Sequence, residues 1–225
     1  MHLEMFVHNV PSTRAISYSD YLHTSNLSIE VSQTTERRSK LQQTLKSITE
    51  QKTSVDDAKQ VVSLLSQKEW IKLVQGVDDY LPFLYSIYNS IKTDDLLLKG
   101  ELIFSWKNTL SESSSSKVTL PGIQYELLCV LILQAKSLCN FAASLIGSLG
   151  NYEYTEAATI SDEERKRKED RLKFGADLQC RAAGIFEYVG RQVIPEWENL
   201  EGTSRLSEMG RSVETTAEVA FALSK

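Results

Sequence analysis

Residues 121–150 read PGIQYELLCVLILQAKSLCNFAASLIGSLG, about thirty residues of mostly apolar, helix-compatible sequence. Pro121 suits the first turn of a helix, where a missing N–H costs nothing, and Gly147 and Gly150 suit its end. At ~100° per residue, Glu126, Gln134, Lys136, Ser137, Asn140, Ser144 and Ser148 fall within about half of the helix circumference. The other half is Ile, Leu, Val, Cys and Ala. The spacing predicts one long helix with a wide apolar face, Leu131 on that face, and Lys136 on a polar, solvent-facing back.

A membrane span is the first competing reading, since Leu127 to Ile146 has the ~20 residues needed. Its Leu, Ile, Val and Phe residues each favour insertion by ~0.3–0.6 kcal/mol, whereas central Lys136 alone opposes it by ~2.5–3.5 kcal/mol. Gln134, Asn140 and two serines cancel the remainder, and no basic flank sets an orientation, so the sequence predicts no integral membrane span. The stripe is also wider than a coiled-coil seam. A core helix of an all-α layer is the expectation.

The rest of the chain must pack around it. With 225 residues and 41% hydrophobic residues there is ample material for a core. A net charge of −5 argues against nucleic acid as a partner, because phosphate binding needs clustered Lys and Arg. Cys129, Cys139 and Cys180 are odd in number and sit in apolar helical sequence, as buried thiols in a reducing compartment do. The N-terminus lacks the charged and apolar regions of a secretory signal.

Along the chain, residues 1–33 alternate weakly and predict short strands joined to the domain. Residues 34–225 read as one helical unit. A helix runs from Thr34 to near Thr53 with Leu41, Leu45 and Ile48 on one face, and another begins at Ser54 before Asp56-Asp57. Glu69 to Lys92 is helical, with a kink or break expected near Asp78-Asp79 because Pro82 removes a donor. A further helix is expected from Asp94 into Trp106, and Ser111 to Lys117 is a loop. Residues 151–160 form a linker. Ser161 and Glu164 make a capping box for a helix whose first half is charged and whose second, from Phe174 to Val193, is apolar. It packs antiparallel on the central helix, and Pro195 ends it. Ser212 to Lys225 is a last amphipathic piece.

Chemistry-bearing patterns are sparse. His2, His8 and His23 are too loosely spaced for a metal pair and read as tail histidines. No phosphate loop, nucleophile elbow or HExxH motif occurs in the sequence, so no catalytic, cofactor-binding or metal residue is assigned. Asp78 and Asp79 could suggest a hydrolase, but adjacent helical side chains point ~100° apart and read as solvated. If their piece is extended, Phe104 and Trp106 are read as one ring entering the core and one covering it, and Tyr125-Glu126 opens a first turn whose carboxylate is favoured by the helix dipole.

These residues carry a family resemblance. Phe104-Ser105-Trp106-Lys107, then Lys117-Val118-Thr119-Leu120, then Tyr125-Glu126 followed by Cys129-Val130-Leu131, and a second long helix from Glu163, resemble the Bro (ALIX-type) domain. Asp78 to Leu84 and the Thr34–Ile48 helix are most similar to its fungal alkaline-pH-signalling branch. The family's Phe-Asn pair is Ile132-Leu133 here, so no polar role passes from that Asn. The resemblance implies an all-α, TPR-like layer of antiparallel helices with a small N-terminal β element, in which Phe104, Trp106, Tyr125, Glu126, Val130 and Leu131 are structural. It further implies a non-enzymatic adaptor, cytoplasmic and recruited peripherally to endosomal or plasma membrane, whose partner is the C-terminal helix of the ESCRT-III filament subunit. Family domains are longer, so the chain is expected to correspond to the N-terminal portion, with groove residues supplied by later helices. The alternative is an α-helical scaffold that self-associates through an uncovered C-terminal edge.

Overall fold

A computed structural model of the chain describes residues 7–23, 27–52, 65–110, 117–149 and 161–225. The expected helix start at Ser54, the loop after Ser111 and the linker at 151–160 lie outside the described residues.

The first helix, α1 (Ser28–Lys52), begins earlier than its hydrophobic pattern suggests. Its inner seam is Val31, Thr34, Arg38, Leu41, Leu45 and Ile48, alternating three and four residues apart and each at most 3% exposed. Two of those six positions are polar; the missed start, Ser28–Gln33, runs along Leu27, Ile29 and Val31, whose alternation reads equally well as a strand.

The second helix, α2 (Gln67–Lys92), opens with a complete capping box. The Glu69 backbone N–H donates to Ser66 Oγ and the Ser66 N–H to Glu69 Oε2, at 3.3 and 2.7 Å. It runs as one helix through Pro82, so the break expected near Asp78-Asp79 does not occur. Pro82 lies on the exposed side, between inward-facing Leu81 and Leu84, so the bond it forfeits is on the solvent side, where water can satisfy the freed carbonyl.

After α2 the helix expected from Asp94 to Trp106 does not form. Asp94 takes a positive φ of 60°, and the chain turns into an antiparallel hairpin of β1 (Ile103–Lys107) and β2 (Lys117–Pro121), pairing Phe104 with Leu120 and Trp106 with Val118. Phe104 and Trp106 are two apart on a strand, so both face the core, 1% and 3% exposed, and neither covers the other. This hairpin is the small β element. Among the described N-terminal residues Thr13 bridges to Trp106 of the hairpin, Leu22 bridges to Leu98 ahead of it, and Tyr18–Asp20 is a 3-10 turn.

Pro121 closes β2 instead of opening a helix. Gly122, at φ +97°, makes the turn into α3 (Ile123–Gly147), a conformation that only glycine adopts without strain. α3 is apolar and long enough to cross a membrane, but 83% of its most apolar window is buried inside the fold. α2 packs on it, and α4 (Asp162–Tyr188) runs back along it, with Phe174 edge-on to Phe141 at 5.9 Å. Gly175 passes so close to Ile146 that an added Cβ would lie 3.1 Å from it.

α4 continues through a π turn, Val189–Val193, into α5 (Ile194–Glu201). Pro195 therefore does not end the helical run, but sits where the π turn passes into α5. α6 (Thr203–Glu208), a 3-10 turn (Val213–Thr215) and α7 (Ala217–Leu223) complete the layer.

Candidate functional site

The middle of the expected polar back of α3 is covered, while Gln134 and Ser144 are half-buried and Ser148 is exposed. Glu126, Lys136, Ser137 and Asn140 are each at most 1% exposed, and each has a hydrogen-bonding partner inside the fold. Burying an ion without such partners would cost several kcal/mol, so these positions define two buried polar clusters.

The first cluster surrounds Glu126. Arg38 Nε donates to Glu126 Oε1 at 2.8 Å, Tyr80 Oη to the same oxygen at 3.1 Å, and Trp106 Nε1 to Oε2 at 2.7 Å. Arg38 also donates to the Arg14 carbonyl at 2.6 Å and to Thr13 Oγ1 at 2.9 Å, and its guanidinium lies 5.7 Å from the Phe104 ring centroid. Tyr18 and Tyr80 share a hydroxyl–hydroxyl bond of 2.6 Å. One carboxylate thereby joins α1, α2, β1 and α3 to the N-terminal segment. Burial, with Glu126 reinforcing it, raises the Tyr18 and Tyr80 hydroxyls well above their ordinary range, so both remain neutral donors. Burial opposes the Arg38 charge, but Glu126, Tyr80 and Tyr18 together outweigh it and raise the guanidinium pKa.

The second cluster surrounds Lys136. Its Nζ contacts Glu214 Oε1 and donates to Thr109 Oγ1 at 2.6 Å, while the Thr109 backbone N–H donates to Glu214 Oε2 at 2.9 Å. Beside it the His8 backbone and the Asn140 amide exchange two bonds of 2.8 Å. His8, expected in a loose tail, is 8% exposed. Burial, and then the Lys136 charge, lower its pKa to about 4. Burial lowers Lys136 to about 7. A small half-open cleft lies between the hairpin, α3 and the 3-10 turn, with Trp106, Tyr125 and Ile132 on its apolar floor and Glu214 at its rim.

All six family-motif residues are buried: Phe104, Trp106, Tyr125, Glu126, Val130 and Leu131, none more than 5% exposed. The fold joins Trp106 to Glu126 directly, and stacks Tyr125 on Trp197 with ring centroids 5.9 Å apart. Arg38, Tyr18, Tyr80, Thr109 and Glu214 were not legible as members, because their partners lie tens of residues away in sequence. The Glu126 carboxylate is sealed from solvent and accepts four bonds from three side chains, two of them from Arg38, which fills its lone-pair sites. Asp78 accepts from Gln134 Nε2 at 2.6 Å and Asp79 pairs with Arg37 at 3.3 Å, so the two carboxylates face different partners. Among the described residues, no group of three or more His, Cys, Asp or Glu could hold a metal.

No family model matches the chain. In sequence it is 30% identical over 229 residues to the pH-response regulator protein PalC of Cryptococcus neoformans var. neoformans serotype D (strain B-3501A), a match covering 97% of this chain and 44% of PalC. In structure it matches the ALIX BRO1 CHMP4C complex with a TM-score of 0.53 at 17% identity, covering 98% of this chain and 52% of the solved chain. The chain thus spans about half the length of the proteins it matches. Its fold is that of the ALIX BRO1 domain, and in sequence it is similar to PalC.

Proposed function

We propose that this chain is part of a non-enzymatic adaptor of ambient, alkaline-pH signalling that engages ESCRT-III. The observation that carries the reading is the 30% identity to PalC, which extends over 97% of the chain and is not confined to one motif. The ALIX BRO1 domain was solved with CHMP4C, and the same fold here supports an ESCRT-III filament subunit as the partner, engaged through its C-terminal helix. Helix-in-groove recognition needs a rigid layer of helices to present the groove. The Glu126 cluster supplies that rigidity by fixing α1, α2 and α3 against the hairpin.

The adaptor works from the cytoplasm, recruited peripherally to endosomal or plasma membrane, and its most apolar helix serves the core. Residues 1–33 act as part of the helical unit of residues 34–225, held by His8 on α3 and by Thr13 on β1. The test is retention of the protein, expressed from its whole transcript, on an immobilised C-terminal helix of the ESCRT-III subunit. Retention that is lost when the helix's apolar face is changed to Asp supports the adaptor; equal retention on both helices, or none on either, rejects it.

A further inference from the structure

The hairpin has an open edge. The Lys107 N–H donates to the Ser12 carbonyl at 2.8 Å and the Arg14 N–H to the Ser105 carbonyl at 3.3 Å, so the odd-numbered residues of β1 bond to the N-terminal segment. The even-numbered ones, Phe104 and Trp106, turn to Leu120 and Val118 of β2. On β2 the backbone N–H and C=O groups of Lys117 and Thr119 therefore point away from β1. Both residues are exposed, and among the described residues nothing bonds to those groups. An unpaired edge of this kind is a template for one more strand.

The two sides of the edge differ in chemistry. Trp106 and Val118 line the cleft, whose floor continues into Tyr125 and Ile132. The opposite face of the sheet carries Arg14, Lys107 and Lys117 beside the hydroxyls of Ser105 and Thr119, which bond each other at 3.0 Å. The strand positions on that face, Ile103, Ser105, Lys107, Lys117 and Thr119, include no carboxylate. Lys107 and Lys117 stand opposite each other in register, and like charges so placed destabilise a sheet unless an anion relieves them. Among the described residues none of the three cations has an ion-pair partner.

We propose that the β2 edge receives an extended segment of a partner protein as an added antiparallel strand, with acidic residues over the Arg14–Lys107–Lys117 face and an apolar residue between them in the cleft. In antiparallel pairing, residues opposite Lys117 and Thr119 share their face and turn their own N–H and C=O to the edge. The residue opposite Val118 turns its side chain to the cleft and its N–H away. The site thus selects an acidic–apolar–acidic run, and Pro121, which has no N–H, keeps that run short. A second copy of this chain suits the edge less well, because its own β2 would bring the same cations against these. The inference goes beyond the adaptor reading and does not depend on it, since it concerns a strand and not a helix.

Fluorescence anisotropy of a labelled peptide of alternating Asp and Val, titrated with the protein expressed from its whole transcript, tests the site. Binding should saturate, and a peptide with Lys in place of Asp should not bind. N-methylation of the Asp amides, which removes the donors facing the edge, should weaken binding by at least about tenfold. N-methylation of the Val amides, which face away, should weaken it by less than about threefold. On the protein, Thr119→Pro removes an edge N–H without removing a bond to β1 and should weaken binding by at least about fivefold. Lys117→Glu should do the same and carries the test should Thr119→Pro not fold, while Lys72→Glu on the exposed side of α2 should change nothing. No binding of the Asp–Val peptide, equal binding of its Lys counterpart, or binding that survives methylation of the Asp amides overturns the proposal. So does binding of phosphatidylserine vesicles without the peptide, or a wild-type dimer in sedimentation that Thr119→Pro dissociates.

Discussion

Glu126 is the residue on which the packing of α1, α2, β1 and α3 converges. In sequence it looks like an ordinary first-turn carboxylate, and its dipole placement is real, but the larger effect is that it neutralises Arg38 at 2.8 Å in a site from which both are excluded from water, at 0% and 2% exposure. Glu126→Ala leaves a guanidinium buried without its counter-ion, so urea unfolding should register a loss of about 3–5 kcal/mol. Glu126→Gln keeps an acceptor for Trp106 and Tyr80 and should lose less. Lys136 shows where the sequence misled. As a solvent-facing residue its replacement by Ala should change stability by less than ~0.5 kcal/mol. Buried at 1% exposure against Glu214, it should instead cost about 3–5 kcal/mol. The helical wheel places Lys136 on the correct side, but nothing local reveals that another segment covers that side.

At the scale of elements, periodicity found what is locally encoded. α3, α4 and most of α2 follow from apolar spacing and from Ser caps, because those signals act within a turn or two. The hairpin did not follow, because Leu96 to Trp106 is apolar at a spacing that suits helix or strand alike, and the choice is made by β2 and by the backbone bonds from Ser12 and Arg14. The early start of α1, Ser28–Gln33, was hidden because Leu27, Ile29 and Val31 alternate as a strand would. α3 itself is the element whose disruption should be felt throughout. Leu131 is 5% exposed, and Leu131→Asp places an unpaired carboxylate in the core. Its cost of several kcal/mol is comparable with the stability of a whole domain. Thermal melts should show Leu131→Asp failing to fold cooperatively; a melting temperature equal to wild type would mean that α3 is not the core helix.

For the molecule as a whole, the fold class and the resemblance to the Bro domains were legible in the ordered motifs, while the buried clusters that hold the layers together were not, since each depends on contacts across the chain. The partner surface was legible in neither, because all six motif residues face inward and stabilise the layer that would present a partner to its groove. The central claim therefore stands on binding, and a titration decides it. Labelled C-terminal helix of the ESCRT-III filament subunit, titrated with the protein expressed from its whole transcript, should give saturable binding with a Kd on the order of micromolar, as expected for one amphipathic helix in an apolar groove. Unlabelled helix should compete for the site, and a helix with its apolar face changed to Asp should not. A titration that stays flat to about millimolar protein, corresponding to less than about 4 kcal/mol of binding free energy, would contradict the account.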